Sequence, residues 1–168
     1  MTARRRVAQE RRRAREFESF VAGAAGRLLH AARLLTGEDG ADASPAAEQL
    51  LIAALAGTYA RWDRLRGEDP YEVARSELIA RYARTAWRRR TRTHGVLARL
   101  TPQERMVLVL RLYEGVAEEQ TAAALALAPE RVTAILWRAC GAVLAPPPES
   151  SSPSSGSGTP QQPEPATP

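Results

Sequence analysis

Lysine and asparagine are absent from this sequence, and all 24 of its basic residues are arginine. Codon usage in a GC-rich genome accounts for part of that bias. The formal charge of +5 suggests a polyanionic partner without requiring one, and arginine suits phosphate because its planar fork bonds two oxygens at once. The single cysteine, Cys140, excludes an internal disulfide and offers no thiolate cluster, so a reducing compartment is expected. It falls on the apolar side of a predicted helix with no activating base, as a core thiol would. The two histidines, His30 and His94, are far apart and in no metal-ligand spacing. A Gly-rich phosphate loop and a G-x-S-x-G elbow are both missing. The longest apolar run, Leu50 to Gly57, is too short to cross a bilayer. The arginines at 4–6 and 11–13 are not followed by the apolar stretch of a secretory signal. These absences point to a cytoplasmic protein that is not an enzyme, with no cofactor, no metal and no membrane partner.

What the sequence does have is helical periodicity. Residues 1–15 are Arg-rich with little apolar content and read as a flexible arm or frayed helix. From Phe17 to Leu35, the apolar residues Phe17, Phe20, Ala24, Leu28, Ala31 and Leu35 recur at three- and four-residue spacing, the amphipathic helix pattern. Three later helices are predicted to start alike, with a polar cap followed by proline, at Ser44-Pro45, Asp69-Pro70 and Thr101-Pro102. They are expected to reach about Leu65, Arg90 and Tyr113. Glu72 and Glu104 stand where a capping box needs them. No stretch alternates with a strand period, so the fold class is all-α. The expected organisation is an arm over 1–15, a helical domain over 16–90, a linker over 91–99, a second helical domain over 100–145, and a tail over 146–168. That tail is rich in Pro and Ser and has no large apolar residue to offset the entropy of ordering, so it reads as disordered.

The last predicted helices carry the most information. After the 100–113 helix comes a break at Glu114-Gly115, then a helix over 117–127, a tight turn, and a helix over 129–144. That is the spacing of a helix-turn-helix, whose second helix normally enters the major groove. Ala122, Leu125, Val132, Leu136 and Val143 would form its core. A small helical bundle of another kind would show the same spacing. Glu118-Glu119 reads as a helix N-terminus, where negative charge is favoured.

Leu100, Pro102, Arg105, Val107, Leu108, Leu110, Arg111, Tyr113 and Glu114 match the start and core of domain four of the extracytoplasmic-function (ECF) RNA polymerase sigma factors. The resemblance is to their actinobacterial sigma-E-like subgroup, of which this chain would be a divergent member. The N-terminal half resembles domain two, through Leu34-Leu35-Thr36-Gly37, Thr58-Tyr59 and Arg61-Trp62. The segment ending Trp87-Arg88-Arg89-Arg90 is similar to the part that melts promoter DNA. The resemblance covers roughly residues 16–144. It implies a factor in transcription initiation, with core RNA polymerase and promoter DNA as partners and an anti-sigma factor as an optional third.

The resemblance also implies roles for particular residues. Tyr82, Trp87, Arg88, Arg89 and Arg90 would capture unstacked bases and phosphates at the −10 element, since a splayed base needs an aromatic wall and its strand needs Arg. The bland reading of Trp87 is a core residue beside a solvated Arg run. Arg131, Thr133, Trp137 and Arg138 would face the −35 major groove. Glu48, Gln49 and Ile52 would face the polymerase.

Several positions depart from the family pattern. The polymerase-binding helix reads Ala47-Glu48-Gln49-Leu50-Leu51-Ile52-Ala53, where an acid, a Gln and a second acid are usual. In the recognition motif, Ala128 replaces a Ser cap and Ala126 replaces a glycine that would tolerate positive φ. Ile135 and Trp137 stand where polar residues are common; exposed, they would make a protein-binding surface, and packed inside they would signal a rotated helix. The short linker spans at most about 35 Å. An alternative is therefore a sigma-like regulator that has lost autonomous promoter recognition and acts by protein–protein contact. A third is a basic helical protein binding nucleic acid non-specifically through its Arg-rich arm, with a steep salt dependence.

Overall fold

The computed structural model describes residues 3–38, 43–65, 67–86 and 96–145. These form six α-helices: α1 (Ala3–Thr36), α2 (Pro45–Ala60), α3 (Pro70–Thr85), α4 (Pro102–Leu108), α5 (Glu118–Leu125) and α6 (Pro129–Leu144). No strand occurs among the described residues, so the all-α expectation holds. The 146–168 tail lies outside them.

The segment read as a flexible arm or frayed helix is the start of α1, which is helical from Ala3. No Gly or Pro interrupts it before Gly23, and Arg, Ala, Gln and Glu are strong helix formers. Arg13 also ties this stretch to the body. Its guanidinium pairs with Asp63 at 2.9 Å, donates to the Tyr59 carbonyl, and lies 4.3 Å over the Tyr59 ring. Beside it, Phe17 stacks edge-on against Trp62 at 5.1 Å.

The proline-led starts differ in detail. Asp69 caps α3 by accepting from the Tyr71 amide, and Thr101 with Glu104 forms the expected capping box on α4. Ser44 does not cap α2. Its hydroxyl accepts from Arg33 Nε at 2.9 Å, and the free amides of Ala46 and Ala47 donate to the Glu38 carboxylate at 3.2 and 2.8 Å. An anion at a helix start does the same work as a cap oxygen and adds a favourable dipole interaction. Helix α2 stops at Ala60, short of the expected Leu65, and a 3-10 turn covers Trp62–Arg64.

The two halves do not stand apart. Ala31 and Leu35 of α1, Leu50 of α2, and Leu78, Ile79 and Tyr82 of α3 share one core with Val109, Leu110 and Val116. Arg105, buried, donates to the Leu35 carbonyl at 3.2 Å and to Leu97 at 3.1 Å, closing the C-terminal end of α1 with a cation. Helix α4 then widens into a π-helical turn over Val109–Tyr113, closed by the Glu114 amide on the Val109 carbonyl. This turn sets Glu114 against α1 and α3.

The Glu114 side chain is wholly buried. Tyr71 donates its hydroxyl to both carboxylate oxygens, at 3.0 and 3.1 Å, while Arg27 and Arg75 approach at 3.5 and 3.8 Å. Tyr113 donates to the Arg27 carbonyl at 3.3 Å. Burial, and then the Glu114 charge, push the Tyr71 phenol well above its ordinary value of 10.0.

Tyr71→Phe should lower stability by about 1.5–3 kcal/mol at neutral pH, because a buried carboxylate loses a donor. The phenol binds its proton more tightly folded than unfolded, so its contribution is complete below pH 10.0 and is lost as pH rises towards the folded value. Urea unfolding against pH should show that alkaline loss in the parent chain and a flatter profile in Tyr71→Phe.

Candidate nucleic-acid interface

Helices α5 and α6 form the helix-turn-helix, with α4 as its scaffold. Val107, Ala122, Val132 and Ile135 make the small core, with Leu125, Leu127 and Leu136 packed against it. Of the core expected from sequence, Ala122 and Val132 are buried, while Leu125, Leu136 and Val143 are only half-buried. Ile135 and Ala139 take the deeper positions instead.

The turn bears out both departures seen in the sequence. Ala126 adopts φ 52°, ψ 47°, the left-handed conformation that glycine enters without strain. The Leu127 amide returns to the Ala122 carbonyl at 2.9 Å, completing a Schellman-type close. Ala128 caps α6 with no side-chain bond.

The surface of α6 is divided. Arg131 is exposed. Thr133 is half-buried, its hydroxyl donating to Glu118 at 2.7 Å, so it braces α5 against α6. Arg138 remains largely exposed but donates to Glu104 Oε1 at 2.6 Å. Ile135 is core, whereas Trp137 is 74% exposed. Glu104 thus joins two tasks: closing the α4 capping box by accepting from the Thr101 amide and hydroxyl, and seating Arg138. Burial alone would raise its pKa, but the Thr101 backbone and Arg138 hydrogen bonds outweigh that and hold it below 4.5.

A family model described as "Sigma-70, region 4" matches residues 96–143, which are the helix-turn-helix with its scaffold. The RNA polymerase sigma-E factor of Streptomyces coelicolor is 31% identical over 149 residues, covering 74% of this chain and 81% of that protein. The protein of the same name from Streptomyces avermitilis is 30% identical over the same length, with 74% and 80% covered. The chain belongs to the RNA polymerase sigma-factor family. No solved structure gives a significant match.

In this sigma-factor chain the residues expected at the polymerase, Glu48, Gln49 and Ile52, all lie exposed on one side of α2. Of the residues expected at the −10 element, Tyr82 alone lies among the described residues. Tyr82 is 4% exposed inside the core shared by the two halves, so in this arrangement it cannot wall a base. Its place in one core with Val109, Leu110 and Val116 is tertiary and has no local sequence signal. Trp87, Arg88, Arg89 and Arg90 lie outside the described residues, as does His94. His30 is exposed with its ring 5.0 Å from Tyr113, and Cys140 is half-buried. No group of ligating side chains that could hold a metal occurs among the described residues. Sequence reasoning missed Glu114 as a junction and Glu38 as a cap. An acid in a loop seven residues ahead of a helix start was the available hint for Glu38.

Ala126→Gly and Ala128→Ser should each stabilise the chain by up to about 1 kcal/mol, the first by removing left-handed strain and the second by restoring a cap. Thermal melting of the single and double variants checks both, and the double should be close to additive. Glu104 ionises more readily folded than unfolded, so its stabilisation is complete above pH 4.5 and is lost as pH falls through the lower folded value. Glu104→Gln should therefore be less stable at neutral pH and less sensitive to acid, as followed by circular dichroism.

Proposed function

We propose that this chain is an alternative sigma factor of the extracytoplasmic-function type, which binds core RNA polymerase and directs transcription initiation at promoters with −10 and −35 elements. The observation that carries this reading is the match to sigma-E factors across both halves, together with a helix-turn-helix whose second helix presents Arg131 and Trp137 outward. Arg131 can fork onto a guanine edge or a phosphate, and Trp137 offers an apolar contact of the kind that reads a thymine methyl. The exposed side of α2 supports polymerase as the protein partner. An anti-sigma factor follows from the resemblance alone.

The match to sigma factors over most of the chain favours this reading over a regulator that has lost promoter recognition. A cytoplasmic location follows from the proposed role, and no described helix is long and apolar enough to cross a membrane.

Run-off transcription with purified core polymerase on genomic fragments, with footprinting of any product, tests the proposal. Discrete start sites are expected, and no association with polymerase would overturn it. Arg131→Ala should lower output about tenfold at promoters where it meets a base, by an amount that depends on the −35 sequence. A uniform loss would reassign it to a phosphate. Trp87→Ala should weaken strand opening and leave polymerase binding intact; unchanged opening would make Trp87 a core residue.

A further inference from the structure

The start of α1 is a second basic surface, separate from the helix-turn-helix. Arginine occupies positions 4–6, 11–13 and 15, against a single acid, Glu10. This segment therefore carries +6, more than the +5 of the whole chain, so everything else sums to −1. The positive charge is concentrated in one element.

Helical geometry spreads that charge in three adjacent stripes. At about 100° per residue, positions 4, 11 and 15 share one stripe, 5 and 12 a second, and 6 and 13 a third. Arg13 is committed to Asp63 and Tyr59, which fixes the helix to the body. The side chains of residues 4–12 are all exposed. Arg12 pairs with Glu16 at 3.4 Å with both groups well solvated, a contact of little strength.

This placement works against the helix itself. The first turn of α1 has no acid, although a helix N-terminus favours negative charge, and Arg4, Arg5 and Arg6 stand there instead. Arg11 and Arg15 are like charges at i and i+4, which repel. None of these side chains contributes to the core. A bound polyanion would offset both penalties.

The chemistry of the segment selects the kind of polyanion. Proteins that hold single strands stack bases on aromatic rings. The first aromatic residue is Phe17, and its ring is taken up by Tyr59 and Trp62 at 4.8 and 5.1 Å. What remains is a straight rod of guanidinium groups about 18 Å long, enough to reach phosphates on both sides of a groove about 12 Å wide. We propose that the first three turns of α1 dock on the phosphates of duplex DNA without reading sequence, beside the sequence-reading helix α6. The choice of DNA rests on the sigma-factor reading; the polyanion-binding surface itself does not.

Fluorescence anisotropy with a 30-bp duplex of non-promoter sequence, titrated across salt without polymerase, tests this on the full chain. Replacing Arg4, Arg5, Arg6, Arg11 and Arg12 together by Gln keeps helix propensity and spares Arg13. The slope of log affinity against log salt should shrink by about 3–4, since each phosphate contact contributes roughly 0.9. Circular dichroism should be unchanged, and the same five positions as Lys should retain most of the slope. An unchanged slope in the Gln variant would overturn the proposal. So would tighter arginine-dependent binding to a single-stranded RNA of the same length than to the duplex. So would loss of polymerase binding with DNA binding intact. A parent chain that shows this slope but gives no promoter-directed transcripts supports the docking surface while removing the sigma assignment.

Discussion

A carboxylate without solvent must be met by donors and opposite charge, because its desolvation otherwise costs several kcal/mol. Glu114 is in that position, and the groups that meet it come from elsewhere in the chain: Arg27 from α1, and Tyr71 and Arg75 from α3. The C-terminal half can bury this charge only while it sits on the N-terminal half. Arg105 adds a second tie of the same kind, a buried cation on the last turn of α1. Between these two polar fixings lies the apolar layer of Leu35, Leu78, Ile79, Val109 and Leu110. Each needs the other, since the apolar layer keeps water from Glu114 and the polar contacts set the register in which that layer meets.

Local chemistry was readable from sequence and long-range chemistry was not. The Thr101 and Glu104 capping box could be named in advance because both partners lie within one turn. Ser44 had the right residue type, yet Arg33 took its hydroxyl and Glu38 took its role, a result decided by how a loop folds back. The helical pattern of 100–113 was correct, but periodicity cannot distinguish a face that packs within its own domain from one that packs on another. Nothing local marks Val109, Leu110 and Val116 as residues that pack on the N-terminal half, yet they belong to the shared core. The same limit applies to Tyr82, an aromatic near an Arg run that tertiary packing buried. In the helix-turn-helix, the strained Ala126 and the capless Ala128 were legible because each departs from what its turn requires. The inward bond of Thr133 was not, because Glu118 is fifteen residues away.

The recognition helix shows how structural and functional demands compete for the same side chains. Arg138 and Thr133 are both hydrogen-bonded to acids of neighbouring helices, which holds α6 at a fixed angle. The helix is precisely positioned at the expense of two polar groups that could have touched a base. Arg131 and Trp137 are left as its outward chemistry, one charged and one apolar. Basic charge is meanwhile concentrated at the other end of the sequence, in the first turns of α1. The outward side chains of α6 and the concentrated positive charge thus lie on different elements.

The shared core also has a consequence for the order in which the chain is made. The apolar faces of α1, α2 and α3 leave the ribosome complete but uncovered, because the residues that close over Leu35 and Ile79 are encoded later. From the end of α3 to Val116 about 30 residues must still be added, which at ordinary rates of synthesis takes roughly 2–6 s. During that interval the nascent chain displays the surface that its own C-terminal third will hide, and Glu114 arrives only as that surface is being covered.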